Sequence, residues 1–352
     1  MEGNQSWVTE FILVGFPLSE EMEFLLFGIF SLLYTINLLA NGMILGLICL
    51  DPRLHSPMYY FLSHLAIIDI SFPSSNLPNL LENLVKHKKT ISFISCTMQM
   101  LFNLTFGSIE CLILLVVSYD RYVAICRPLQ YTVIMNGRSC VVLAITSWAC
   151  GFSLALVQVI LLLRLPFCGP QEVNHFLCDI RSVLRLACGD TGINEMFLFA
   201  DGVFILVGPL SLMLVSCVSI LWAILKIQSK EVHKKAFSTC SSHLCVVGFY
   251  FGIAMIVYMV PDNSQREEQL KILFPFYTLF NPLLNPLVYS LRNAQVKAAF
   301  YRVLQKKRRT TWRRVRLGSV DFFPLRDKIA GAKNSRKFPR KMHDLMMSVT
   351  QE

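Results

Sequence analysis

The sequence predicts an all-α membrane protein: a bundle of seven transmembrane helices, a short amphipathic helix on the inner leaflet and a disordered basic C-terminal tail. Three observations lead to this fold class. The 352 residues are 54% hydrophobic and only 16% charged, whereas soluble domains are roughly 25% charged. The apolar residues form seven long segments, and the C-terminal residues are strongly basic. This composition excludes soluble globular, collagen-like and small disulfide-stabilised proteins.

Each apolar segment is long enough to cross a bilayer core about 30 Å thick, which takes roughly 20 residues of α-helix. The loops between them are short, except for about 33 residues at 164–196, a length normally seen in a lid or binding element. We therefore predict an N-terminal segment (1–23), a seven-helix transmembrane domain (24–291), an amphipathic helix (292–305) and a basic tail (306–352). The apolar segments run over 24–50, 58–81, 97–119, 139–163, 197–225, 237–260 and 272–291.

The charges at the two ends predict the orientation in the membrane. An odd number of spans puts the ends of the chain on opposite sides. Residues 1–23 hold five acidic residues and no Lys or Arg, whereas residues 306–352 hold 14 Lys and Arg against 4 Asp and Glu. Because basic residues favour the cytoplasmic side, we expect the N-terminus outside and the C-terminus inside. Asn4 begins Asn4-Gln5-Ser6, an N-glycosylation acceptor triplet on the expected outer side.

Only four of the 12 cysteines fall on the outer, oxidising side of this topology, where disulfides form. They are Cys96, Cys168, Cys178 and Cys188. Four cysteines allow three pairings, and the residues alone leave all three open.

One face of the third segment carries polar and charged residues from its outer to its inner end. Its members recur every three or four residues, so they share a helix face, and the 18 residues between first and last span about 27 Å. Glu110 on this face, and Asp69 on the second segment, are expected to face the bundle interior. Taken alone, Arg121 at the inner end also fits an interfacial arginine that reaches to water. The face comprises Asn103, Gly107, Glu110, Leu114, Val117 and Arg121.

The segment after the seventh span predicts the amphipathic helix. Its apolar residues recur at helical spacing, which is typical of a helix lying on the inner leaflet, with Lys297 and Arg302 toward the lipid head groups. The basic cluster that follows is expected to contact anionic lipid. The apolar residues are Val296, Ala299, Phe300, Val303 and Leu304.

Several motifs stand in order along residues 1–305. They are Asn41-Gly42, Leu54–Tyr59, Ser118–Cys126 followed by Pro128–Tyr131, Lys235–Leu244 and Pro282–Asn293. Together they resemble the vertebrate olfactory (odorant) receptors, a family of rhodopsin-like G-protein-coupled receptors. The resemblance implies a multi-pass plasma-membrane receptor rather than an enzyme. It implies that a small volatile odorant binds in the outer half of the bundle, and that the receptor activates the stimulatory olfactory G protein and raises cyclic AMP. Membrane lipids are further expected partners, and nucleic acid is not.

The resemblance also assigns roles by position. It pairs Cys96 with Cys178 and Cys168 with Cys188. It places a sodium ion at Asp69 and Glu110, although one carboxyl being protonated and hydrogen-bonded to the other is an alternative. The inner switch that couples to the G protein is Asp120, Arg121, Tyr122, Asn285, Pro286 and Tyr289. The ligand contacts are Asn103, Leu104, Gly107, Ser108, Val203, Ile205, Ala254, Met255, Tyr258 and Thr278.

This set of ligand contacts is mostly apolar, which suits a small, uncharged, partly oxygenated odorant. Asp201, in the outer part of the fifth segment, is an exception. Its carboxylate either pairs with an amine ligand or serves as a capping or interfacial group, and the sequence favours the second interpretation.

The sequence departs from the family pattern in three places. Cys217 stands where a tyrosine is expected to support Arg121, which predicts weaker coupling. The order Tyr250-Phe251-Gly252 swaps two residues, so we expect a hydroxyl beneath the ligand site to be lost. The tail extends some 40 residues beyond the usual end.

Two other classes of membrane protein fit less well. A transporter would show two related halves with matching interrupted helices. An intramembrane enzyme needs a nucleophile and base, or two metal-binding histidines, at one depth. His64 and His243 are single residues on different segments, and we expect each to be a hydrogen-bonded packing residue.

Overall fold

The structure is a computed structural model. It describes residues 9–15, 19–86, 89–168, 171–225, 247–259, 277–287, 295–303 and 305. Predictions that concern Asn4, residues 235–244, Tyr289 and the tail lie outside the described residues. Within them the chain is predominantly helical, as a membrane-spanning bundle requires.

Eleven α-helices occur among the described residues. The fifth apolar segment forms two of them, α7 and α8, and single 3₁₀ turns occupy Pro52–Leu54 and Pro128–Gln130. The α-helices are α1 (Glu20–Leu50), α2 (Pro57–Val85), α3 (Phe93–Cys126), α4 (Tyr131–Ile134), α5 (Gly137–Leu163), α6 (Ile180–Leu184), α7 (Gly192–Gly202), α8 (Gly208–Leu225), α9 (Val247–Met259), α10 (277–286) and α11 (295–303).

Four helical stretches among the described residues are long and apolar enough to cross a membrane: α1, α3, α5 and the continuous stretch Gly192–Leu225. They correspond to the first, third, fourth and fifth predicted segments. Helix α2 is also long, with 29 residues, but it buries Asp69, Asn76 and Asn83, and these polar side chains lower its hydropathy.

The outward surface of the bundle is apolar. Leu32, Leu39 and Val215 are each more than 60% exposed, at 62%, 68% and 63%. An exposed apolar surface of this kind is expected where a protein contacts lipid.

A π-helix at Val203–Val207 joins α7 to α8. The ring of Pro209 has no backbone N–H, so it cannot continue the α-helical ladder. Instead, the N–H of Gly208 donates to the carbonyl of Val203, five residues back. π-helical turns are often found near functional sites, and this one buries Ile205 and Leu206 while Val203 is 39% exposed.

A small sheet at the N-terminal end of α3, which is called the outer end here after the predicted orientation, was not predicted. It has three strands in the order β2-β1-β3: β1 (Glu10–Leu13), β2 (Thr90–Ser92) and β3 (Glu172–Val173). Strand β1 runs antiparallel to β2 and parallel to β3. Its alternate residues Phe11 and Leu13 are buried, at 1% and 3% exposed, as the period of two in a strand requires.

Two disulfides hold the long outer loop. Cys96, in the first turn of α3, is bonded to Cys178 with 5.3 Å between Cα atoms. Within the loop, Cys168 is bonded to Cys188 with a Cα separation of 5.8 Å. Of the three pairings that the residues allow, this is the one that the resemblance implied. The loop, the sheet and the start of α3 share one buried apolar cluster.

The helix at 295–303 packs on the opposite end of the bundle. Val296 and Ala299 are buried, at 8% and 0% exposed, while Phe300 is 38% exposed. We expected Arg302 to face the head groups, and this stays a prediction. Its guanidinium pairs with Asp51, with 2.7 Å between Nη2 and Oδ2, because the acid lies buried at the adjacent turn between α1 and α2.

Candidate functional site

A cavity lies in the outer half of the bundle, between α3, α7, the π-helix, α9 and residues of α2 and α10. Its atom-free space is about 510 Å³, counted out to its open mouth. Apolar and aromatic side chains dominate the wall, as is usual for sites that bind small molecules. The lining residues are Phe72, Asn103, Leu104, Gly107, Ser108, Cys111, Leu198, Asp201, Gly202, Ile205, Leu206, Tyr250, Ala254, Tyr258 and Tyr277.

Three of the ten predicted ligand contacts do not line this cavity. Val203 lies on the outer surface of the π-helix, 39% exposed. Met255 packs against the main apolar core, and Thr278 is buried at 2% exposed without reaching the wall. The π-helix accounts for Val203, because it changes which side chains of this span face inward. The other seven predicted contacts, Asn103, Leu104, Gly107, Ser108, Ile205, Ala254 and Tyr258, do line it.

Gly107 and Tyr250 shape the floor of the cavity. A Cβ atom added at Gly107 would meet no heavy atom within 4 Å, so this glycine leaves open space in the wall. The hydroxyl of Tyr250 donates to the carbonyl of Gly107 at 2.8 Å. The expectation that the Tyr250-Phe251 order removes a hydroxyl here is therefore wrong: the hydroxyl comes from the preceding residue of α9.

Two polar side chains of the wall have unpaired atoms. Asp201 accepts a hydrogen bond through Oδ2 from Nε2 of Gln158, at 2.5 Å, but its Oδ1 is buried and has no partner among the described residues. Asn103 accepts through Oδ1 from Nδ2 of Asn76, also at 2.5 Å. Its own Nδ2 is buried and likewise lacks a partner within the described part of the chain.

A polar centre lies below the cavity, where α2, α3 and α10 meet. Nδ2 of Asn285 donates to Asp69 Oδ1 at 3.0 Å and to Glu110 Oε1 at 3.2 Å. Nδ2 of Asn281 donates to the same Glu110 oxygen at 2.9 Å. Both carboxyl groups are buried, at 1% exposed each.

The oxygens of this centre fit a hard cation. Oδ2 of Asp69 and the Oδ1 atoms of Asn281 and Asn285 are buried without hydrogen-bond partners among the described residues. Carboxylate and amide oxygens are the ligands that hard cations take in proteins. Within the same residues no group of three or more His, Cys, Asp or Glu side chains gathers, so a cation here would need the amides.

His64 was expected to be a hydrogen-bonded packing residue. Its Nδ1 accepts a hydrogen bond from Nε1 of Trp148 at 3.2 Å.

One of the two prolines in α10, Pro286, has a specific compensation. Because Pro286 has no N–H, the carbonyl of Pro282, four residues earlier, loses its helical partner. Nδ2 of Asn41, on α1, donates to that carbonyl at 3.2 Å. Asn41 is itself oriented by Asn37, whose Oδ1 lies 2.8 Å from the same nitrogen.

The inner end of α3 carries the predicted switch residues. Asp120, 2% exposed, accepts a hydrogen bond from the hydroxyl of Tyr131 at 2.8 Å. Burial and the neighbouring Asp120 raise the pKa of Tyr131, so its hydroxyl keeps the proton that it donates. Tyr122 packs against Ile220 and Ile224 of α8. One turn earlier on α8, Cys217 is buried at 5% exposed.

An apolar helical bundle with a cavity near one end and a charged motif at the other end of α3 is the architecture of a rhodopsin-like receptor. Residues 30–307 match the sequence profile of the family described as "Olfactory receptor". The chain belongs to the olfactory receptor family, whose members are G-protein-coupled receptors that sense odorants and not enzymes.

Individual relatives agree with the family match. Human "Olfactory receptor 2A2" is 63% identical over 308 residues, which is 88% of this chain and 97% of the relative. Human "Olfactory receptor 2A5" is 64% identical over 309 residues, covering 88% and 99%. Mouse "Olfactory receptor 2A7" is 55% identical over 308 residues, with the same coverage of 88% and 99%.

Sequence reasoning missed several residues of the site. Tyr250, Tyr277, Phe72 and Cys111 line the cavity without having been selected, because aromatic and sulfur side chains in apolar segments are more often packing residues. Gln158 was missed as well. A single glutamine in the fourth apolar segment was a usable signal, since a polar side chain within a membrane normally faces a partner.

Proposed function

We propose that the receptor binds a small volatile odorant in the outer cavity and activates a stimulatory G protein, which raises cyclic AMP. In this proposal the N-terminus lies outside the cell, with Asn4 glycosylated, and the C-terminus lies inside. The basic residues at 306–352 then face the anionic inner leaflet.

A single feature supports this proposal most strongly: one helix carries both ends of the signal. Asn103 and Gly107 of α3 line the cavity, and Asp120 and Arg121 lie at the inner end of the same helix. Between them the helix is packed tightly, since Leu114 is 0% exposed. A rigid element in contact with both sites is what coupling between them needs.

The proposed switch opens at the inner ends of the helices. Tyr122 lies between α3 and α8, against Ile220 and Ile224. In this proposal the neighbouring Asp120 holds Arg121 at rest. Separation of these helices would free Arg121 from Asp120 and expose an apolar groove for a helix of the G protein. Pro286 lies in α10 beside Asp69 and Asn285 of the polar centre, and Tyr289 is assigned to the same switch by its position in the family motif.

We also propose that Asp69 and Glu110, together with the oxygens of Asn281 and Asn285, hold a sodium ion. A cation would offset the cost of placing two carboxyl groups together in a buried site. The three unpaired buried oxygens support this assignment. The alternative is that one carboxyl keeps a proton.

The proposed function is tested by a cyclic AMP screen of the full-length receptor against a broad odorant panel. The key variant is Arg121→Ala, compared at equal surface expression with Arg138→Ala. Arg138 is exposed at the start of α5, so this control removes the same side chain from the same end of the bundle. We expect Arg121→Ala to abolish the response and Arg138→Ala to keep it. A response that survives the loss of Arg121 would contradict G-protein coupling through this motif.

A further inference from the structure

Asp201 places a carboxylate in the cavity wall, and only one of its two oxygens has a hydrogen-bond partner among the described residues. Asp201 is the next-to-last residue of α7, two positions before the π-helix begins at Val203. Gln158, from α5, satisfies Oδ2 with an amide hydrogen bond, while Oδ1 is buried and unpartnered among the described residues. A carboxylate withdrawn from water with only one neutral donor is energetically unfavourable, and buried charges are normally paired.

The cavity provides no basic side chain to pair with this carboxylate. Its lining residues include no Lys, Arg or His. The ion pairs found within the described ranges involve Glu82, Glu23 and Asp51, all away from the cavity. The missing positive charge can therefore be supplied by a ligand.

We propose that the cavity binds a small organic amine, whose protonated nitrogen donates a hydrogen bond to Oδ1 of Asp201. This inference rests on the proposed function only in taking the cavity as the odorant site. It differs from the sequence-based expectation of an uncharged odorant, because the sequence did not show that Oδ1 is withdrawn from water.

The structure argues against the two structural roles considered for Asp201. An interfacial carboxylate would keep both oxygens in contact with water, but Oδ1 is buried. A capping acid belongs at a helix N-terminus, whereas Asp201 lies inside the continuous helical stretch Gly192–Leu225.

The rest of the wall suits the remainder of such a ligand. Leu198, Ile205 and Ala254 offer an apolar surface for a short hydrocarbon body, and Tyr250, Tyr258 and Tyr277 line the same cavity. Aromatic faces are favourable neighbours for an organic cation. The unpartnered Nδ2 of Asn103 provides one donor for an ether or hydroxyl oxygen elsewhere on the amine.

The test measures binding directly, with amines and alcohols of the same skeleton: hexylamine and hexanol, cyclohexylamine and cyclohexanol, 2-phenylethylamine and 2-phenylethanol. The readout is the thermal stability of the purified full-length receptor as a function of ligand concentration. Losing one partner of a buried charge pair typically costs 2 to 5 kcal/mol, which corresponds to about 30-fold or more in affinity. At least one amine should therefore reach half-maximal stabilisation at about 30-fold lower concentration than its alcohol.

The variant Asp201→Asn should remove this preference. Asparagine keeps the size of the side chain and can still accept from Gln158, so the packing between α5 and α7 is retained. The matched control is Glu195→Gln, which neutralises an exposed carboxylate on the same helix and should leave the preference for amines unchanged.

The possible outcomes separate this inference from the proposed function. If amines stabilise the wild-type receptor without raising cyclic AMP, amine recognition holds and stimulatory coupling fails. If no amine stabilises the receptor more than its alcohol, the inference is overturned, and the screen with Arg121→Ala still decides the proposed function. An amine preference that persists in Asp201→Asn also overturns it, because the charge pair would then lie elsewhere.

Discussion

The crossing of α3 and α5 gives the sharpest test of the packing that positions the cavity. These helices meet at Gly151, where a Cβ atom would lie 2.6 Å from Cγ1 of Ile109, 3.1 Å from its backbone nitrogen and 3.3 Å from the carbonyl oxygen of Thr105. Small residues allow this close approach of helices in a membrane. We therefore predict that Gly151→Ala destabilises the receptor.

The magnitude follows from those distances. Carbon atoms pack best at about 3.5 to 4.0 Å, so the new methyl group is about 1 Å too close to Ile109, and the backbone atoms of α3 cannot move away independently. Overpacking of this kind costs about 1 to 3 kcal/mol. Alanine is also a better helix former than glycine, so the control must carry the same exchange. Gly46→Ala is suitable, because a Cβ atom there meets nothing within 4 Å.

The assay is thermal unfolding of the purified receptor in detergent at a fixed scan rate, since unfolding of such proteins is often irreversible. Gly151→Ala should unfold below Gly46→Ala. In a double-mutant cycle, Ile109→Ala should partly relieve the effect, so that the two substitutions together cost less than their sum. Equal stability of Gly151→Ala and Gly46→Ala would refute the close crossing, and additivity with Ile109→Ala would refute the cause assigned to it.

Three further outcomes are expected. Cys217→Tyr should raise ligand-independent cyclic AMP, because it restores the tyrosine expected on α8; no change at matched surface expression would oppose this. Tyr250→Phe should lower stability by about 1 kcal/mol, a typical net hydrogen bond, by removing the bond to Gly107; unchanged unfolding would count against that bond. The hydrogen bond from Arg302 lowers the pKa of Asp51 in the folded state. The stability that this pair contributes is therefore fully present above the unfolded-state pKa of Asp, near 4. It is lost as the pH falls through the lowered pKa of the folded state. Unfolding of Asp51→Asn should accordingly depend less on pH between 6 and 3, and an unchanged acid dependence would exclude this contribution.

Local patterns in the sequence predict the helices well, because hydropathy and the helical spacing of apolar residues can be read from residues that are close together in the chain. The fourth segment was predicted at 139–163 and occupies Gly137–Leu163. The face of α3 was predicted from its spacing, and Asn103, Glu110 and Leu114 are indeed buried. The π-helix at Val203–Val207 was not foreseen, because it depends on how the chain accommodates Pro209 within a continuous apolar segment.

Contacts between distant residues account for most of what the sequence could not provide. Strands of two to four residues are too short to produce a recognisable alternation, and β1 finds its partners in two separate loops. Gln158 meets Asp201 across 43 residues, and Asn41 reaches the carbonyl of Pro282 across 241. No local rule selects these partners, although each polar side chain in an apolar segment indicates that a partner exists.

The hydrogen bonds around α3 suggest why ligand binding in the cavity would be felt at the inner end. Tyr250 binds the carbonyl of Gly107 on the cavity floor, and three residues further along α3 Glu110 accepts from Asn285. A ligand that displaces the Tyr250 side chain therefore changes how α9 is held to α3, directly above the polar centre. Helix α10 can respond there, because Pro286 has already broken its ladder and Asn41, from α1, satisfies the freed carbonyl. The freed carbonyl of Pro282 is held by this side chain rather than by a backbone N–H, so a bend of α10 at that point has to break a side-chain hydrogen bond rather than a rung of the helical ladder.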